Sequence, residues 1–193
     1  MNNKKIILPV FIIIALVQLY VPASMIFNKE KVLETGAVYK FKTEPIDPND
    51  PFRGKYIILN FERNTFQVEN TEDWTRGEYI YVYLTQGSDG FARINSITKE
   101  KLTDNQDFIK TKVKYIASDS TNTITVEYPF NRFYMEESKA YEAEVVYRQS
   151  QVDTTNLTYA LVSIKNGDAV LKDVLINETP IREIVKERQT GEQ

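Results

Sequence analysis

Twenty-two consecutive positions, Ile6 to Phe27 (IILPVFIIIALVQLYVPASMIF), carry no charge and are interrupted only by Pro9, Gln18, Pro22 and Ser24. Wound as a helix, such a run spans about 33 Å, against a bilayer hydrocarbon core of about 30 Å. One crossing of a membrane is the natural reading. Lys4, Lys5 and the amino terminus precede the run and no acid does. The positive-inside rule therefore puts the N-terminus in the cytoplasm and residues 28 to 193 outside, with Lys29 and Lys31 pulling weakly the other way. Val21-Pro22-Ala23 loosely resembles a signal-peptide cleavage site. Pro22 sits badly there, however, and apolar character continues through Met25-Ile26-Phe27, so the run reads as a retained anchor.

The remaining chain is long enough for one domain with its own core. The whole sequence of 193 residues has neither Cys nor His. Disulfides, thiol nucleophiles, cysteine-bound zinc, Ser-His-Asp triads and HExxH sites are thereby excluded, as is a lipoprotein anchor on Cys. Beyond residue 27 there are 22 basic and 27 acidic residues, interspersed, for a net charge of −5. That balance is not a nucleic-acid signature. No cofactor is implied.

Short alternating runs rich in β-branched and aromatic residues dominate from Ala37 to Thr125. They predict strands at Val38 to Thr43, Tyr56 to Glu62, Phe66 to Glu69, Glu78 to Thr85, Phe91 to Ile97, Ile109 to Ile116 and Thr123 to Tyr128. Proline, glycine and Asn/Asp clusters punctuate them, which argues for a sandwich or small barrel. Met135 to Arg148 breaks the rhythm and predicts a helix. Glu136 and Glu137 would face the positive end of its dipole, and Ala140, Tyr141, Ala143, Val145 and Tyr147 would form its apolar stripe. Tyr159 to Lys165 and Ala169 to Asn177 flank Asn166-Gly167, a hairpin signal. The charged tail from Glu183 is expected to fray. The fold class is thus mainly β (α+β): anchor and cytoplasmic stub at 1–27, β-rich exported domain with one helix and a C-terminal hairpin at 28–182, tail at 183–193.

Arg53-Gly54-Lys55-Tyr56-Ile57 is echoed by Arg76-Gly77-Glu78-Tyr79-Ile80. Two glycines, each just ahead of an alternating strand, explain the echo without a duplication.

The stretch TEPIDPNDPFRGKYIILNF, from Thr43 to Phe61, resembles the signature of the bacterial GDYXXLXY family. The N-terminal anchor, YMEESKAYEAE at Tyr134 to Glu144 and NGDAVLKDVLINETPI at Asn166 to Ile181 look like that family's pattern in the same order. Gly54, Tyr56 and Leu59 match the naming motif. Lys55 stands where the name has Asp and Phe61 where it has the last Tyr, so no role needing a carboxylate carries over to position 55. The resemblance implies a membrane-anchored protein, often encoded beside a multi-spanning membrane protein, with no established activity. Strand alternation sends Ile57, Leu59 and Phe61 to one face and Tyr56, Ile58 and Asn60 to the other. Asp47-Pro48 and Asp50-Pro51 read as turns, leading to Phe52 and Arg53.

Three chemistries compete. Asp47, Asn49 and Asp50 could offer oxygens to Ca²⁺, but too few without others from elsewhere. Ser24, at the outer end of the anchor, superficially resembles a Ser/Lys signal peptidase nucleophile, yet the rest of such a box is missing and no Lys stands out as base. An interaction role accounts for more. Tyr128-Pro129-Phe130-Asn131-Arg132-Phe133-Tyr134-Met135 is unusually aromatic, and aromatics, Met and Arg are enriched in interface cores. The expectation is therefore a non-enzymatic accessory protein meeting a multi-spanning membrane partner, with Phe130, Arg132, Phe133, Tyr134 and the Phe52-Arg53 loop as contacts. The alternatives are an envelope enzyme of carboxylate or Ser/Lys type, and a barrel that binds a small ligand in an apolar cavity. The oligomeric state is not legible.

Overall fold

The computed structural model describes residues 4–44, 56–103, 105–117, 121–152 and 155–191. The apolar run lies in one long helix, α1 (Lys4–Thr35), which passes through Pro9 and Pro22 without ending. Its apolar side chains from Ile7 to Phe27 are largely exposed, with no domain packed over them. A helix apolar on every side and covered by nothing is what a hydrocarbon environment selects. The helix continues eight residues past Phe27, further than the apolar run indicates, and its last turns dock on the domain: Val32 is buried and Gly36 N donates to the Val32 carbonyl at 2.9 Å.

The described residues of the domain form two five-stranded antiparallel sheets and a two-stranded ribbon. β1 (Ala37–Glu44), β2 (Tyr56–Ile58), β3 (Asn60–Phe61), β4 (Thr65–Gln67), β5 (Tyr79–Gln86), β6 (Ala92–Thr98), β7 (Phe108–Ala117), β8 (Thr123–Glu127) and β9 (Arg132–Tyr134) precede helix α2 (Glu137–Val152). β10 (Thr158–Lys165), β11 (Asp168–Ile176), β12 (Thr179–Pro180) and helix α3 (Ile181–Gly191) follow it. One sheet has the order β12-β11-β10-β1-β3, the other β4-β8-β7-β5-β6, and β2 pairs with β9 alone. Register shifts at Leu161/Val162, Tyr83/Leu84 and Val113/Tyr115 bend the strands, as extra residues in a ladder do.

Two connections bring the sheets close to a closed barrel. On one side the chain from Tyr56 to Gln67 runs from the ribbon to β1 and on to β8, with Leu59 N on the Asn131 carbonyl (2.9 Å) and Val126 N on the Asn64 carbonyl (2.8 Å). On the other, the tip of the β10–β11 hairpin touches β7, where Lys110 N donates to the Gly167 carbonyl at 2.9 Å. Asn166 and Gly167 both have positive φ (53° and 90°), the paired left-handed geometry that an Asn-Gly hairpin turn requires.

One contiguous core fills the space between the sheets, built from Phe41, Val162 and Ile164 on one side and Ile80, Val82, Ile109, Val113, Ile124 and Val126 on the other. The predicted alternation is observed at the motif: Ile57, Leu59 and Phe61 are buried while Tyr56, Ile58 and Asn60 are half-buried. The predicted helix is α2, but its buried stripe is Ala140, Ala143, Val146, Tyr147 and Ser150; Tyr141 points to solvent. Ser150 sits in a line of buried hydroxyls that ties α2 to the sheet. Thr158 Oγ1 donates to Ser150 Oγ (3.0 Å), Thr43 Oγ1 to the Thr158 carbonyl (3.0 Å), and Gln151 Nε2 to Thr43 Oγ1 (3.0 Å).

The described part of the tail, residues 183–191, does not fray. It forms α3, whose Ile181 and Val185 are fully buried and which packs on α2. The charged residues of that segment lie on the outer face of an amphipathic helix. The aromatic run contains a short strand, β9, that the alternation does not predict.

Candidate functional site

The motif strand meets the aromatic run in the β2–β9 ribbon, in register Tyr56↔Tyr134, Ile57↔Phe133 and Ile58↔Arg132. Because side chains alternate across a strand, this register sorts the candidate contacts into two faces. Phe133 and Ile57 face inward and are buried, and Phe130 is buried too. Phe130 therefore belongs to an aromatic cluster with Phe41, Phe61 and Tyr128, with ring centroids 4.9 to 5.9 Å apart. Tyr128 closes that cluster by donating from its hydroxyl to the Arg63 carbonyl at 2.8 Å, and burial pushes its phenol well above the ordinary range. Phe130 and Phe133 are thus core residues and not contacts; the expectation that they form a free surface is corrected, since their area is spent on packing.

Arg132 and Tyr134 remain exposed. The Arg132 guanidinium lies 5.1 Å from the centroid of the Tyr56 ring, and the Tyr56 and Tyr134 rings are 5.5 Å apart, tilted at 54°. Arginine stacked on an aromatic face is held in one orientation while keeping its donors free. This aromatic and cationic ledge joins one motif residue, Tyr56, to two residues of the aromatic run. Leu59 and Phe61 are buried in the core. Asp47, Pro48, Asp50, Pro51, Phe52, Arg53 and Gly54 lie outside the described residues, as does the Ca²⁺ reading placed on Asp47 and Asp50. Among the described residues no cluster of three or more acids is placed to hold a metal ion.

Grooves flank the ledge on both sides, with Tyr134 lining each. One, of about 380 Å³, runs between β9 and the two C-terminal helices and is lined by Tyr134, Met135, Glu136, Lys139, Arg182 and Lys186, among others. Arg182 covers the edge of the core here, 5.0 Å above the Phe133 ring. Lys139 Nζ pairs with Glu136 at 2.8 Å, which holds the Glu136 carboxyl below the usual range. The other groove, of about 340 Å³, reaches from Arg132 and Tyr134 across to Lys29 on α1.

A family model for the GDYXXLXY protein matches residues 18–174. The chain belongs to the GDYXXLXY family. No curated protein and no solved structure matches it significantly. Within the matched stretch, Tyr56 is half-buried on the outer face of the ribbon and Leu59 is in the core. What α1 adds is a helix long and apolar enough to cross a bilayer, near the N-terminus, as an anchor or a signal sequence would be.

Ser24, the speculative nucleophile, spends its hydroxyl on the Val21 carbonyl one turn back in α1, at 2.8 Å. Sequence reasoning missed α3 and hence Arg182 and Lys186. The spacing of Ile181, Ile184 and Val185 is the signal that could have found them.

Proposed function

We propose that this GDYXXLXY protein is a single-pass, extracytoplasmic accessory protein that uses the Tyr56–Arg132–Tyr134 ledge to engage a multi-spanning membrane protein. One observation carries the reading. A single groove is lined both by Lys29, two residues beyond the last apolar residue of the run, and by Arg132 and Tyr134 of the ledge. With about 1.5 Å of rise per helical residue, Lys29 lies within head-group depth of the bilayer, so the ledge is displayed where a membrane protein's outer loops are. An exposed Tyr and a stacked Arg are the residue types that anchor interfaces.

Retention of the anchor is supported by α1 itself, which stays helical across Val21-Pro22-Ala23 instead of opening into an extended segment there. Lys4 and Lys5, ahead of the apolar run, support a cytoplasmic N-terminus by the positive-inside rule. The test is a photocrosslinking residue in place of Tyr134 in native membranes, with one in place of Tyr115, which is equally exposed at 59%, as control. An adduct with a multi-spanning membrane protein at position 134 and not at 115, weakened in an Arg132→Ala background, is expected. Identical adducts at both positions, or none at 134, would refute the reading.

A further inference from the structure

The groove between α1 and the ribbon has a charge opposite to that of its domain. Beyond residue 27 the chain carries 27 acids against 22 bases, yet the charged residues lining this groove are Lys29, Lys110, Arg132 and a single acid, Asp168. Asp168 is already engaged by Lys29 Nζ at 2.9 Å. Lys110 and Arg132 have no acid partner among the described residues; each stands over a tyrosine ring, Lys110 5.5 Å from the centroid of Tyr79 and Arg132 5.1 Å from that of Tyr56. Two exposed cations held in place by aromatic faces, with donors unspent, form a receptor for an anion. Between them the accessible lining is apolar, from Pro129, Val170 and Leu171.

We infer that this groove binds the phosphate head group of an anionic phospholipid from the leaflet into which α1 emerges. Lys110 and Arg132 contact the phosphate, Tyr134 lies at the interfacial level that tyrosines favour, and the apolar lining accommodates the glycerol and first methylenes. The source is a lipid because Lys29 puts the mouth of the groove at head-group depth, where that phosphate is the most concentrated anion. The inference rests on α1 being kept as an anchor but needs no protein partner, so it is testable on the purified chain even if the crosslinking above fails.

The experiment is titration of the detergent-solubilised full chain with phosphatidylglycerol or phosphatidylcholine, counting retained lipids by native mass spectrometry. Phosphatidylglycerol is retained in preference. At roughly fivefold per basic residue near a membrane surface, Lys110→Gln weakens it about fivefold and Lys110→Gln with Arg132→Gln about thirtyfold, less so in high salt. Both side chains are exposed, so the fold is kept, and a circular-dichroism melt checks this. The double variant Lys40→Gln with Lys101→Gln alters net charge equally, outside the groove, and keeps the preference. Equal retention of the two lipids overturns the inference, as does an equal loss in the control pair, which would mean diffuse attraction. Displacement of the lipid by millimolar glycerol 1-phosphate would overturn the lipid as the ligand in favour of a soluble phosphate.

Discussion

Two antiparallel pairs sit at the end of the domain where α1 docks, and they are built to opposite ends. The β10–β11 hairpin is long, with strands of 8 and 9 residues, and Val162, Ser163 and Ile164 are all buried, so both faces of β10 are covered. Its tip bonds to β7 and its flank receives α1, where Lys165 Nζ donates to Thr35 Oγ1 and Lys29 pairs with Asp168. The β2–β9 ribbon has strands of 3 residues, one buried face and one face left to solvent. Length and two-sided burial make the hairpin a mount. Shortness and one-sided burial make the ribbon a display surface, with Arg132 and Tyr134 exposed on its outer face beside the half-buried Tyr56.

The largest effect that would break this contrast is expected on the ribbon's inner face. Phe133→Ala should cost about 3 to 5 kcal/mol in denaturant melts of the full chain, whereas Tyr134→Ala, one residue on, should stay within about 0.5 kcal/mol. Comparable losses at both positions would mean that the ribbon has no free face. Next comes the mount. A Cβ on Gly36 would lie 2.5 Å from the Val32 carbonyl oxygen and 2.9 Å from that of Ile164, both backbone atoms that cannot swing aside. Gly36→Ala should therefore cost about 3 kcal/mol and loosen α1 from the domain, visible as faster proteolysis near residue 36. Gly167→Ala combines a φ of +90° with the Phe108 ring 2.6 Å from the new Cβ, and should cost about 1 to 3 kcal/mol. Tolerance of either substitution would argue that the hairpin is not rigid.

A smaller effect appears with pH, in the turn between β5 and β6. Asp89 is hydrogen-bonded by Arg63 at 2.7 Å, by the Phe91 amide and by Arg93, which together hold its carboxyl well below the ordinary value. A depressed carboxylate adds stability above its unfolded pKa of about 3.9 and loses it as pH falls through the folded value. Glu44 works against this trend: burial and then the neighbouring Glu62 raise its pKa, so acid relieves it first. Acid melts of Asp89→Asn should accordingly fall less steeply with decreasing pH than those of the wild type. The smallest change is expected for Lys29→Ala. Its pair with Asp168 is more than half exposed on both sides (52% and 58%) and should contribute under about 1 kcal/mol, so the stability of the mount rests on backbone contacts and Val32.

Much of this architecture is legible in the residues. The uncharged run from Ile6 to Phe27 dictates one long exposed helix, because nothing else satisfies its backbone without water. Alternation in Tyr56 to Phe61 correctly assigns inner and outer faces, and Asn166-Gly167 marks its turn because Asn and Gly accept two positive φ values in succession at the least steric cost. The charged segment beyond Glu183 misleads. Charge reports only the outer face of a helix, while Ile181 and Val185 become informative once a neighbouring helix is known to receive them.

The candidate site divides the same way. That Arg132 and Tyr134 are available for contact while Phe130 and Phe133 are not depends on β9 pairing with β2, a partner more than 70 residues away in sequence. Local pattern determines an element's type and its two faces, because those follow from bonds within a few residues. Which face is covered is decided by long-range pairing, since burial is a property of whatever arrives from elsewhere in the chain. The sequence by itself therefore determined a β-rich domain on an apolar helix, with Tyr56 and Leu59 on opposite sides of a strand. Only the tertiary structure decided that Tyr56, Arg132 and Tyr134 form one ledge and that Lys29 and Lys110 share a groove beside it.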